Sequence, residues 1–468
     1  MIVAAALLLF PAASAPATAA APSDVTVVRG GITPRVACAA DPRFSYALYL
    51  PKDYVPGRSW PVLYLFDPRG RGALAAEIFA EAAAAHGFVV ASSNETRSDD
   101  PTAPNAEAIG AMWVDTHARL VIDAKRRYAA GFSGLARVAV RMGRAQRNAL
   151  AGVIAVGGLL ADEARAKQAW PFAFYGAVGE EDFNYPEMWR LDEPLAANRT
   201  PHRIAGFEGG HEWLPKSLAM EALDWLALRA IGEGGRAPDA AVVERYRSAV
   251  STRANALEAA GRTGEALRLW QGLAEDLAGV GGSAAAVAQV DRLGAPARRD
   301  LERVRKQADR DAAWIHAANE SIAVLEQEPP PALPRLLADF DVQSLRKQSA
   351  SADPVQARSA SRRLNAVATN AGYYLPERLK AQGLLANAVR SYELAAAIDP
   401  ESPAPHLGLA RVHARSGKRK AALEALRAAA ARGLRIPRQR LAEDPELAVL
   451  VGDPAFEEIL KALPVDGL

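Results

Sequence analysis

The sequence predicts a parallel α/β sheet in its first half and an all-helical region in its second. Three observations carry this. Between about residues 25 and 231, strand-like runs alternate with helix-like runs, the pattern of a sheet covered by helices. Beyond residue 231 strand signal all but vanishes, and Ala, Leu and Arg dominate. Between the two, Gly232-Glu-Gly-Gly-Arg-Ala-Pro238 has the composition of a linker.

The chain has 468 residues, enough for two or three domains. Residues 1–21 read as an export signal: an apolar run over 2–10, then small residues offering Ala17-Thr18-Ala19 and Ala19-Ala20-Ala21 as cleavage sites. The run is too short to span a bilayer, and it lacks the usual preceding Lys or Arg. The expected location is periplasmic or secreted, with no integral membrane segment after cleavage. The expected domains are 22–231 (sheet), 232–239 (linker), 240–365 (helical) and 366–468 (helical repeats with a capped end).

The strands are taken in chain order. Residues 44–50 alternate and stop at Pro51, as an early antiparallel strand does. Residues 60–66 (W-P-V-L-Y-L-F) form a continuous apolar run suited to burial on both faces. A helix over 74–86, a strand over 88–92 and a helix over 107–122 come next. Further strands are predicted at 127–131, 151–156, 171–177 and 202–207. Ligands of such sheets bind beyond the carboxyl ends of the strands, so the loops there are where chemistry is sought.

Composition narrows the chemistry. Half of the residues are hydrophobic, and the net formal charge of +2 gives no basic field to attract nucleic acid. Cys38 is the single cysteine, which rules out an intrachain disulfide. The seven histidines show no H-x-x-x-H or H-E-x-x-H spacing. No Cys-based or His-pair metal site is therefore expected.

The stretch Tyr128-Ala-Ala-Gly-Phe-Ser-Gly-Leu-Ala-Arg137 passes from an apolar strand through Gly131 and Ser133 into a helix-forming run. A serine on such a turn stands clear of its backbone, and the next amide faces the place where an oxyanion forms. After the 171–177 strand lies an acidic loop, Val178-Gly-Glu-Glu-Asp-Phe-Asn184; after 202–207 lies Glu208-Gly-Gly-His-Glu-Trp213. The order Ser133, Asp182, His211 is that of nucleophile, acid and base in an α/β-hydrolase. A serine hydroxyl needs an imidazole to take its proton, and that imidazole needs a carboxylate to fix its tautomer. Glu180 and Glu181 compete with Asp182, which is preferred because apolar Phe183 comes directly after it. His202 competes with His211 but starts its strand, the wrong end of the sheet. The oxyanion donors are expected to be the amides of Gly134 and Arg69, since Pro68 has no N–H.

Four segments carry a wider likeness: Tyr46-Ala-Leu-Tyr-Leu-Pro51, Asp123-Ala-Lys-Arg-Arg-Tyr-Ala-Ala-Gly-Phe-Ser-Gly134, the Gly179 to Asp182 loop, and Gly210-His211. With them, residues 44–231 resemble secreted α/β-hydrolases of the esterase and polyhydroxybutyrate-depolymerase-like group. The resemblance implies an α/β-hydrolase sheet with flanking helices and a Ser-His-Asp triad, without metal or organic cofactor, acting on a small-molecule or polymeric acyl substrate. One position departs from that family's G-x-S-x-G pattern, because Leu135 stands where the second glycine belongs. That implies a shifted helix or a tighter pocket. The segment 157–170 is too short for a large lid domain.

In the second half, Gly383 and Gly417, Ala388 and Ala422, Tyr392 and Leu426, and Ala395 and Ala429 are each 34 residues apart. That period in a helical region resembles tetratricopeptide (TPR) repeats, with Gly261, Ala266 and Trp270 as a divergent earlier copy. Such repeats imply a protein or peptide partner. The leading expectation is an exported serine hydrolase with a recruiting TPR-like region. Its competitors are a catalytically weak hydrolase fold serving as an interaction module, and a peptidase of the oligopeptidase-like branch.

Overall fold

The computed structural model describes residues 27–100, 102–146, 148–158 and 168–463. The expected export signal therefore lies outside the described residues, as does most of the segment expected to be lid-free.

Eight strands form one sheet: β1 (Ile32–Ala37), β2 (Ser45–Tyr49), β3 (Trp60–Phe66), β4 (Val89–Ser93), β5 (Ile122–Phe132), β6 (Gly152–Val156), β7 (Ala173–Gly179) and β8 (His202–Phe207). Their spatial order is β1-β2-β4-β3-β5-β6-β7-β8. β2 runs antiparallel to both β1 and β4, and every pairing from β4 through β3 to β8 is parallel. This is the α/β-hydrolase sheet. β3, β6 and β7 are buried at every position, which is why they read as unbroken apolar runs.

Helices α1 (Gly72–His86), α2 (Asn105–Arg119) and α3 (Gly134–Ala145) occupy the crossovers, with short α4 (Tyr185–Arg190) and α5 (Asp192–Ala197) between β7 and β8. α6 (Lys216–Gly232) comes after β8. α2 stops three residues before the expected end: Leu120 is extended, and Ile122 already pairs with Trp60. β1 is a strand that sequence patterning does not predict, because Ile32-Thr-Pro-Arg-Val-Ala37 mixes an internal proline and a charge. An edge strand tolerates both.

The chain separates into two compact units at Asp309/Arg310 rather than at the glycine-rich stretch 232–239. The reason lies in α7 (Ala240–Ala259) and α8 (Thr263–Leu277). Val242, Tyr246, Val250, Ala254, Leu267, Leu273 and Leu277 share one apolar core with Tyr175 and Ala205 of the sheet and Trp225 and Leu226 of α6. Burying a Leu or Val side chain is worth about 1.5–3 kcal/mol. Several together outweigh the freedom that a few linker glycines offer. Gly261, Ala266 and Trp270 belong to this hairpin and hence to the sheet unit; Ala266 and Trp270 are buried.

α9 (Ala284–Ser321) breaks at Gly294 (φ 58°). The second unit continues with α10 (Leu333–Asp339), α11 (Val342–Ser349), α12 (Pro354–Thr369), α13 (Leu375–Ala381), α14 (Leu385–Ile398), α15 (Pro403–Arg415), α16 (Arg419–Ala431), α17 (Arg438–Ala442) and α18 (Pro454–Ala462). Positions 34 apart take matching roles. Gly383 and Gly417 have φ of 80° and 72°, and in both turns the next amide bonds a carbonyl five residues back. Ala388, Ala422, Tyr392, Leu426, Ala395 and Ala429 are all buried. No helix among the described residues is long and apolar enough to cross a membrane.

Candidate active site

β5 ends at Phe132, α3 begins at Gly134, and Ser133 alone makes the turn with φ 56° and ψ −128°. A non-glycine residue held there costs about 1–3 kcal/mol. The neighbourhood holds it: the Ser133 amide donates to the Val156 carbonyl at 2.8 Å, and the Ser133 carbonyl accepts from the Ala136 amide. The turn is so tight that a Cβ on Gly131 would lie 2.2 Å from the Leu135 carbonyl oxygen. The close approach of strand and helix is thus kept with Leu135 in place, and its side chain is buried.

Three side chains meet at this turn. His211 Nε2 lies 2.9 Å from Ser133 Oγ, and His211 Nδ1 lies 2.9 Å from Asp182 Oδ2. The partners set the tautomer. The Asp182 carboxylate can only accept, so Nδ1 carries the proton and Nε2 is left to accept from the serine hydroxyl. Asp182 is 1% exposed, and burial pushes its carboxyl above the usual carboxylate value against the pull of His211 and the Asn184 amide. The His211 ring packs on Phe132 and Phe183, with centroids 4.8 and 4.7 Å away. Phe183, the apolar neighbour that distinguishes Asp182 from the glutamates in sequence, therefore packs on the histidine itself.

The rivals go elsewhere. Glu180 turns to Arg262, with Oε1 and Nη2 2.6 Å apart. Glu181 is exposed, and its amide donates to the Gly209 carbonyl. His202 pairs with Asp192 at the start of β8. Gly157 carries no signal in the sequence that marks it for the site. It has φ 54°, and a Cβ there would come within 2.8 Å of Asp182 Oδ2 and 3.3 Å of His211 Nδ1. Its carbonyl accepts from the Asn184 side-chain amide at 2.7 Å.

The expected oxyanion donors fare differently. Gly134 opens α3, so its amide is one of the four that a helix leaves without an internal acceptor. Arg69 does not match the expectation: its amide already donates to Asp67 Oδ1 at 2.8 Å. The cause is the Asp67 carboxylate, which also accepts from the Arg71 amide and guanidinium and, at 2.8 Å, from the Trp213 indole. Burial pushes the Asp67 carboxyl up, and these donors more than reverse it, leaving it below the usual range. Asp67 thereby ties the loop after β3 to the loop carrying His211. Among the described residues no group of three His, Cys, Asp or Glu is placed to hold a metal ion.

No protein-family model matches this chain, and no curated protein matches it. Among solved structures it is similar to S-formylglutathione hydrolase (FrmB) from Staphylococcus aureus, at 15% identity over 39% of this chain and 90% of that chain, with a TM-score of 0.34. It is also similar to an esterase from Pyrobaculum calidifontis, at 12% identity over 42% and 85% of the two chains, with a TM-score of 0.35. A ferulic acid esterase shares 17% identity over 39% and 91%, with a TM-score of 0.32.

Proposed function

We propose that this chain is a serine hydrolase that cleaves an ester or related acyl bond. The observation that carries the reading is the continuous hydrogen-bonded chain Ser133–His211–Asp182 on a strained strand-to-helix turn. Ser133 Oγ attacks the acyl carbon as His211 Nε2 takes its proton. The imidazolium is held by Asp182, and the Gly134 amide faces the oxyanion. His211 then returns the proton to the leaving alcohol, and a water repeats the sequence to free the acid. The binding of the Arg69 amide by Asp67 favours a second reading, a catalytically weak hydrolase fold, because one expected donor is withdrawn.

Around this centre we read export to the periplasm or exterior, and a TPR-like region that recruits a protein or peptide. The 34-residue correspondence of turn glycines and buried positions supports the latter. The test is covalent labelling of the purified chain with a fluorophosphonate probe. Wild type is expected to label and Ser133→Ala not to; a folded wild type that stays unlabelled sinks the enzyme reading. A series of p-nitrophenyl esters set against aminoacyl amides then separates esterase from peptidase.

A further inference from the structure

β8 is the edge strand of the sheet, and among the described residues no strand pairs with its outer backbone groups. Its inner side pairs with β7, and at the two ends of that ladder Phe174 donates to Pro201, just before β8, and Glu180, just after β7, donates to Phe207. The alternate carbonyls face outward, and arginines meet them. Arg203 Nη1 donates to His202 at 2.8 Å, Arg268 Nη1 to Ile204 at 3.3 Å, and Arg253 Nη2 to Gly206 at 3.2 Å. Arg253 and Arg268 come from α7 and α8, so this hairpin stands where a ninth strand would. Arg203 in turn donates to the Gly272 carbonyl of α8 at 2.9 Å.

The same hairpin reaches the loop that carries Asp182. Arg262, at the turn between α7 and α8, is 8% exposed, and Glu180 is 7% exposed. Glu265 holds the guanidinium fork at both Nε and Nη2, each at 2.6 Å, and the same Nη2 also donates to Glu180 Oε1 at 2.6 Å. Glu180 stands two residues before Asp182. The loop between them is tied by its backbone to the histidine side: the Glu180 amide bonds Phe207 and the Glu181 amide bonds Gly209. On the helical side Glu180 pairs with Arg262. Buried ions this close are costly to separate, because the survivor keeps its desolvation cost without its partner.

We propose that Arg262 is a positioning residue for Asp182, acting through Glu180, so that the α7–α8 hairpin is a working part of the catalytic centre. The inference rests on the serine-hydrolase reading above. With Arg262 withdrawn, the Glu180 carboxylate leaves its buried site for water and carries the acid loop with it. Asp182 then no longer meets His211 Nδ1 in line. Ser133 is activated less, and the acyl substrate binds as before.

The experiment uses the full chain with Arg262→Met, Arg262→Lys, Glu180→Gln and the Met/Gln double variant. kcat and KM for p-nitrophenyl acetate, the fluorophosphonate labelling rate and Tm are measured for each. Arg262→Met is expected to lower kcat and labelling rate by roughly ten- to a hundredfold, the scale of a misplacement of about 1 Å. KM stays within about twofold, and Arg262→Lys recovers part of the loss. The double variant is no worse than Arg262→Met, since both changes break one contact. A folded Arg262→Met with kcat within about threefold of wild type overturns the proposal, as do losses that multiply in the double variant. Should Arg262→Met fail to fold, a drop in kcat at unchanged Tm in Arg262→Lys and Glu180→Gln supports it, and unchanged kcat in both overturns it. An unlabelled wild type overturns the hydrolase reading itself. A labelled wild type beside an indifferent Arg262→Met overturns this inference alone.

Discussion

Asp182 is held in a state that costs the fold something. Burial raises its carboxyl above the unfolded value, so the folded chain binds the proton more tightly than the unfolded one. This residue's penalty is therefore absent below the unfolded value, near pH 4, and complete once pH passes the folded one. Asp182→Asn removes the charge and leaves an acceptor for His211 Nδ1–H. It is expected to raise Tm at pH 7 by about 1–3 °C while cutting kcat, read by calorimetry and ester turnover on one sample. At this scale much of the site was legible. Ser133, Asp182 and His211 each sit just past an apolar run, and residues at strand ends share a sheet edge whatever their distance in sequence. The fate of the Arg69 amide was not legible, because it depends on which way the Asp67 carboxylate turns. Gly157 was silent for a similar reason, since nothing local marks a glycine whose missing side chain leaves room for the acid and the base.

Between elements, polar contacts do what apolar packing alone does not specify. His86 at the end of α1 bonds Asp224 of α6 at 2.8 Å, and Arg245 of α7 completes the join. Arg236 donates to His86 Nδ1 at 3.0 Å, which makes Nδ1 an acceptor and the ring neutral with its proton on Nε2. Burial, aided by Arg236 and Arg245, lowers the His86 value against the pull of Asp224. A base lowered in the folded state contributes stability above its unfolded value, about 6.5, that is lost as pH falls through the folded one. Thermal melts from pH 7.5 to 5.5 are therefore expected to show falling Tm, with a shallower fall in His86→Gln. His117, also lowered by burial, adds the same sign and keeps some slope. A slope unchanged in the variant would refute this role for His86. The sequence pattern predicted α1. It gave no hint of the ions that join α1 to α6, since ion pairs between distant segments leave no local pattern.

For the whole molecule, the consequential boundary is Asp309 rather than the 232–239 stretch. Gly232-Glu-Gly-Gly locates a bend accurately, yet a bend is a domain end only if the chain beyond it packs elsewhere. Here Leu267, Leu273 and Leu277 return to the sheet's own core. A chain ending at Asp309 is expected to stay soluble and to label with a fluorophosphonate at close to the full-length rate. One ending at Asp239 is expected to be insoluble or unlabelled. Equal labelling of both would show that the hairpin is dispensable. The 34-residue correspondence in the second unit was legible because stacked helices reuse the same few positions. The matching offsets at Gly261, Ala266 and Trp270 fall in the α7–α8 hairpin, since the same small and aromatic residues that pack helix on helix also pack helix on sheet.

The guanidinium cover of β8 bears on how this protein ages in solution. Most natural sheet edges are blunted by charge, proline or a bulge on the strand itself. Here the cover over Ile204 and Gly206 is borrowed from another segment, through Arg268 and Arg253, and goes wherever that segment goes. Partial detachment of α7 and α8 would bare a straight row of carbonyls on a sheet that is otherwise intact, and such openings occur well below the melting point. Two molecules caught in that state could join edge to edge. Storage losses would then rise with the square of concentration and track loosening of the hairpin rather than global unfolding.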